Sequence, residues 1–220
     1  MSAAVFPLPL AAFQDRLLLT DAVFDLPEQV AISGTGGGEI LSARVGPDLW
    51  TGEMIFGRIL AEELRAQKAL VNLVRNGGSF MIADPKRRFP LADPGGLILG
   101  GALPVIGALD AGDARMIGLA GLPAGYALST GDLLAFEYLS SPARFALHEV
   151  SNGPVVADGA GATALFEVRP HLRPGAVPGA AVALRSPACK AIVVPGSVQP
   201  GRARATVTDG LALRWLQTLR

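Results

Sequence analysis

Hydrophobic and polar positions alternate in short stretches along most of this chain, and glycine, proline or aspartate bounds nearly every stretch, the pattern of β-strands in a turn-rich protein. Strands are predicted over Ala22–Phe24, Val30–Ser33, Ile40–Val45, Leu49–Phe56, Ser79–Ala83, Val105–Leu109, Arg115–Leu119, Leu133–Leu139, Arg144–Val150, Thr163–Arg169, Ala181–Arg185, Ala191–Val194 and Arg204–Val207. The strand from Leu133 is the best defined. Gly/Pro turns and the pair Gly131-Asp132 lead into it, Asp132 reads as the turn residue, and Leu134, Phe136 and Tyr138 share one face.

One segment departs from this rhythm. Arg58–Asn76 holds no glycine or proline, and Leu60, Leu64, Val71 and Val74 recur at helical spacing, flanked by Ile59, Leu70 and Leu73. Arg58, Glu62, Arg65, Lys68, Asn72 and Arg75 occupy the opposite face, and Gly77-Gly78 supplies the stop. The unit therefore reads strand, helix, strand.

The proline-rich run Asp84–Gly96 reads as a passage between domains, and six strands follow it without a helix signal, the pattern of a small barrel or sandwich. The tail from Ser186 has too few predicted strands to bury itself, so it is expected to return to the first domain. Residues 1–94 with 186–220 then form one discontinuous domain, and 95–185 an inserted one. The fold class is mainly β with one amphipathic helix.

Composition narrows the function. Of 220 residues, 17% are charged, against about 25% in an average globular domain, and half are hydrophobic. A large core accounts for this, or faces covered by neighbouring subunits. No membrane span is expected, because the longest uncharged run, Gly95–Leu109, is broken by glycines and Pro104, whereas a spanning helix needs roughly 20 apolar residues. The N-terminus shows no basic signal-peptide region before Arg16, so synthesis in the cytoplasm is the expectation. Nineteen basic residues balance nineteen acidic ones, which gives no overall field for nucleic acid. The lone Cys189 excludes an internal disulfide and reads as a small buried residue.

No residue set converges on catalysis. Ile32-Ser-Gly-Thr-Gly-Gly-Gly-Glu39 leads into a strand rather than a helix, so it reads as a hairpin or flexible loop and not a phosphate cradle. His148 lies within a strand, on the face of Ala146 and Val150, as a partly buried, hydrogen-bonded imidazole. His171 follows Pro170 in a loop, and neither histidine has metal-ligand spacing. A hydrolase built from Ser129, Ser140 or Ser151 with Asp132 or Glu149 lacks a nucleophile elbow. No catalytic residue, cofactor or metal is expected. Trp50 and Trp215 read as core anchors of the first domain. Lys86, Arg87 and Arg88 form the densest basic run, a solvated face or a contact for a partner or a channel lumen; Arg202 and Arg204 add two cations near the C-terminus.

The unit Leu49-Trp-Thr-Gly-Glu-Met-Ile-Phe…Ser-Phe-Met-Ile-Ala-Asp-Pro85, the motif Leu122-Pro-Ala-Gly-Tyr-Ala-Leu-Ser-Thr-Gly-Asp132 and the late Glu167-Val-Arg-Pro170 resemble the distal tail proteins of long-tailed bacteriophages and prophages over nearly the whole chain. The resemblance implies a β-sandwich belt domain with a helix plus a second, OB-like β-barrel. It implies a hexameric ring at the tail tip of the virion, assembled in the host cytoplasm, that joins the tail tube protein to the hub or receptor-binding protein and leaves a channel for DNA. It carries over no catalytic residues. A glycan- or host-surface-binding role for the second domain is the alternative.

Overall fold

In the computed structural model, residues 4–34, 36–138 and 140–219 are described. In chain order they form β1 (Leu19–Asp25), β2 (Val30–Gly34), β3 (Ile40–Arg44), β4 (Thr51–Phe56), β5 (Ile59–Leu60), helix α1 (Ala61–Val74) and β6 (Ser79–Ala83). There follow β7 (Val105–Leu109), β8 (Met116–Ala120), β9 (Ala127–Leu128), β10 (Leu133–Tyr138), β11 (Arg144–Val150), β12 (Val155–Val156), β13 (Phe166–Arg169) and β14 (Val182–Ala183). The chain ends with β15 (Ala188–Val193), β16 (Gln199–Ala203) and β17 (Val207–Gln217). The fold is mainly β with, among the described residues, a single amphipathic α-helix, as the alternation predicts.

The first sheet runs β1-β4-β17-β15-β6, with β5 and β16 pairing to β17. Side chains opposite one another in register share a face. Leu213 faces Met54, Val193 faces Trp215 and Cys189 faces Ile82, so these strands present one continuous buried surface. Val71 and Val74 of α1, Phe13 from the 3-10 turns before β1, and Leu133, Ala135 and Leu147 of the following sheet complete that core. Trp215 and Phe24 lie on the strands either side of Gly52 and pack ring to ring at 4.6 Å. A Cβ at Gly52 would sit 1.8 Å from the Val23 carbonyl oxygen and 2.7 Å from the indole, so only glycine fits beneath the rings.

The second sheet, β14-β10-β11-β13-β8-β7, curls into a nearly closed barrel. A bridge between Val105 and Ala181 joins its ends, with Ile106 N–H donating to Ala180 O at 2.9 Å and Val182 N–H to Pro104 O at 2.8 Å. Leu134, Phe136 and Tyr138 point into the barrel with Ile117, Leu119, Phe166 and Val168. The opposite face of β10 is buried as well, because Leu133 and Ala135 enter the core of the first sheet. Of the strand's side chains only Glu137 is exposed.

Several expectations are corrected. The helix begins at Ala61, not Arg58, because Ile59 and Leu60 pair with Thr208 and Val207 as β5 and leave the helix only the residues beyond them. Leu60 and Leu73 are exposed, and the buried face belongs to Gln67, Val71 and Val74. Gln67 earns its burial by hydrogen bonding: its Nε2 donates to Arg16 O at 3.0 Å and its Oε1 accepts from Leu18 N–H at 3.2 Å. Of the strand expected over Arg204–Val207 only Val207 is strand, the first residue of β17; Arg204, Ala205 and Thr206 form the turn between β16 and β17, closed by Arg204 N–H to Val207 O at 2.7 Å. The tail supplies β15, β16 and the eleven-residue β17, which runs between β4 and β15 in the first sheet. Leu139, the expected end of the β10 strand, lies outside the described residues, as does Thr35 of the glycine run.

Candidate functional site

The basic run Lys86–Arg88 sits where the chain leaves β6 for the barrel. Arg87 is half-buried and holds four partners: Nε donates to Asp84 Oδ2 at 2.7 Å, Nη1 pairs with Glu149 of β11 and donates to Gly131 O at 3.4 Å, and the guanidinium lies 5.7 Å from the Trp50 ring centroid. Burial alone would lower the Arg87 pKa; hydrogen bonds to the Asp84 and Glu149 carboxylates outweigh it and raise the value. Arg88 pairs with Asp15 at 2.5 Å. Lys86 is exposed and makes no ion pair among the described residues. Arg87 and Arg88 thus tie the first sheet, the N-terminal turns and the barrel to one another.

His148 is buried at 2% exposure, deeper than expected. Its Nδ1 lies 2.7 Å from Pro170 O, which can only accept, so the proton resides on Nδ1 and Nε2 faces the Tyr138 hydroxyl at 3.4 Å. The Tyr138 oxygen also accepts from Arg173 N–H at 3.0 Å, and the imidazole stacks on Phe136. Burial pushes the imidazole pKa down to about 4 and keeps the ring neutral. None of Ser129, Ser140 and Ser151 bonds a histidine: the Ser140 hydroxyl donates to Pro142 O and Ser151 Oγ is buried without a partner. Asp132 accepts from Ser129 N–H at 2.7 Å and from Leu91 N–H at 2.9 Å, so its carboxylate fixes the turn and also pins the passage from β6. Among the described residues no three His, Cys, Asp or Glu side chains could hold a metal, and no helix is long and apolar enough to cross a membrane.

His171 lines a cleft of about 390 Å³ between the root of the β2–β3 hairpin and the barrel, with Glu28, Arg44, Asp48, Arg115 and Glu167. With Arg169, three arginines face three carboxylates there. Arg44 pairs with Asp48, and Arg115 pairs with Asp113 at 2.6 Å and with Glu167 at 3.7 Å. The Arg115 hydrogen bonds hold the Asp113 carboxyl down at about 2, so both groups stay charged.

The surfaces that stand out are apolar. Every residue of β2 and β3 is exposed, and among the described residues the hairpin pairs with no other strand. Val30, Ile32 and Ile40 share one of its faces, with Ile32 at 70% and Ile40 at 72% exposure. A second apolar surface lies on the passage between β6 and β7, where Leu91, Leu97, Ile98 and Leu103 project to solvent. Buried Asp93 braces that passage, accepting from Ile98 N–H and Leu99 N–H at 2.9 Å and from the Tyr126 hydroxyl at 3.3 Å. Burial raises the Asp93 pKa, and these donors lower it by more. Arg185 adds bonds to the carbonyls of Gly96 and Gly100.

The alternation of β2 and β3 signals strands but not which face is covered, and Asp93 resembles any turn aspartate in sequence; both surfaces become visible only with the tertiary structure. No protein-family model matches this chain, and no curated protein matches it.

Proposed function

We propose that this chain is a ring-forming structural component of a bacteriophage tail tip, of the distal tail type, joining the tail tube to the hub and leaving a channel for DNA. The observation that carries the reading is the β2–β3 hairpin. A two-stranded hairpin alone is marginal in water, and this one exposes Val30, Ile32 and Ile40 on one face, with no further strand paired to it among the described residues. A surface outside the monomer is the natural cover.

Closed rings use heterologous contacts, in which two different patches meet. The hairpin and the braced Leu91–Leu103 passage are two such patches on different elements. The low charge fraction supports the same reading. The glycan-binding alternative has less support, because Trp50, Trp215, Tyr126 and Tyr138 are buried and offer a sugar no exposed indole or phenol to stack on.

Sedimentation velocity across a range of protein concentrations tests the reading. The wild-type chain is expected to form a discrete oligomer that Ile32→Asp with Ile40→Asp abolishes. An unchanged oligomer in the double variant would remove the hairpin from the account.

A further inference from the structure

Three arginines gather at one carboxylate where β16 turns into β17. The strand register sets Arg202 opposite Asp209. Arg204 reaches Asp209 Oδ2 through its Nε at 3.0 Å, and Arg58, just before β5, reaches Oδ1 through its Nε at 3.3 Å. Thr206 O accepts from Ala61 N–H at 3.3 Å, which holds the entry to α1 beside this turn. Asp209 sets one negative charge against three positive ones. Glu62 and Glu63, in the first turn of α1, make no ion pair with the cluster among the described residues.

The way Asp209 is used matters. It takes the Nε edge of Arg58 and of Arg204, and no further ion pair engages either guanidinium among the described residues; their side chains are 73% and 69% exposed. Their Nη groups make no hydrogen bond or ion pair among the described residues, and a guanidinium edge is the fork that grips a phosphate through two parallel hydrogen bonds. Arg202 lies near the end of β16 and Arg204 in the turn that follows it, so the two cations stand together at one end of the β16–β17 ladder. Arg87 and Arg88 differ in exposure, since their paired side chains are only about a third exposed.

We propose that Arg58, Arg202 and Arg204 form a binding site for the phosphates of a nucleic-acid backbone, independent of base sequence. The site deepens the channel reading above and rests on it for its setting, because a ring repeats the cluster once per subunit.

Fluorescence anisotropy with a short labelled DNA duplex, titrated with the full chain at several salt concentrations, tests the site. Replacing Arg58, Arg202 and Arg204 together by alanine is expected to weaken binding about tenfold or more at low salt, and to flatten the dependence of log K on log salt by roughly two to three phosphate contacts. Replacing Arg16, Arg65 and Arg75 together removes the same charge from other exposed positions and is expected to change binding far less. Equal losses in the two triple variants, or no wild-type binding at low salt, would overturn the site. So would displacement of the duplex by poly-glutamate at equal charge, which would assign the cluster to an acidic protein surface. Sedimentation of the same samples separates the two claims. Wild-type rings that bind DNA no better than the Arg58/Arg202/Arg204 variant overturn the site and leave the ring, whereas a monomer whose DNA binding is lost in that variant overturns the ring and leaves the site.

Discussion

Trp50 Nε1 donates a hydrogen bond of 2.7 Å to the carbonyl oxygen of Leu147, joining the first sheet to β11 of the barrel through a buried contact. Gln217 steadies the same tryptophan, donating its N–H to Trp50 O at 2.7 Å and accepting Trp50 N–H on its side chain at 3.1 Å. Trp50→Phe keeps most of the ring and removes the donor, leaving the Leu147 oxygen short of a partner. The expected cost is about 1–3 kcal/mol of stability, read from urea denaturation followed by far-UV circular dichroism. A cost near zero would show that the bond does not couple the two sheets.

Arg87 acts beside that contact. Its removal leaves the buried Asp84 carboxylate without its cationic partner and takes a cation from the Trp50 ring. Because Arg87 and Glu149 are each about one-third exposed, solvent screens part of the effect. Arg87→Met is expected to cost about 1–2 kcal/mol and to leave the affinity for DNA unchanged. Calorimetric unfolding reads the first, and anisotropy the second. A weakened DNA affinity with unchanged stability would return this arginine to the role of an anion contact.

His148 links stability to pH. Its folded pKa of about 4 lies below the ordinary 6.5, so the unfolded chain takes up a proton that the folded chain refuses. Stability is therefore full above about pH 6.5 and falls as pH drops toward 4, by up to about 3 kcal/mol from this residue. His148→Asn can place an amide donor near the Nδ1 position and does not titrate. Urea titrations of the two proteins between pH 7 and 4 should diverge with falling pH. Parallel curves would contradict a neutral buried imidazole.

Cys189 lies at 0% exposure in the core, and burial pushes its thiol pKa up, so the reactive thiolate is suppressed. Iodoacetamide should leave the native chain unmodified and alkylate it fully once unfolded, with mass spectrometry as the readout. Rapid native modification would mean that the core around β15 opens readily.

The stretches legible from sequence are those in which local pattern and tertiary environment agree. Leu134, Phe136 and Tyr138 alternate as a strand and are one in the barrel. The helix is readable because no glycine or proline interrupts it, although its first turn is lost to β5, a pairing with Val207 and Thr208 that lies far off in sequence. The longest strand, β17, was not legible beyond Val207. Gly210 lies inside the strand at φ +75°, and Gly201 of the paired strand at φ +73°. Glycine adopts that backbone without strain, so β16 and β17 continue through these positions. The basic run is visible as charge, and Asp84 stands beside it in sequence, but Asp15 and Glu149 approach it only in the folded chain.

Assembly is the central claim, and the exposed face of Val30, Ile32 and Ile40 is its structural ground. Ile32→Asp with Ile40→Asp should leave the stability of the monomer within about 0.5 kcal/mol, as exposed substitutions do, while removing the assembly. The most direct measurement is single-particle electron microscopy of the purified wild-type chain. The account predicts closed rings with sixfold symmetry and an open centre. Compact particles of the 22.7 kDa monomer at every concentration would contradict it.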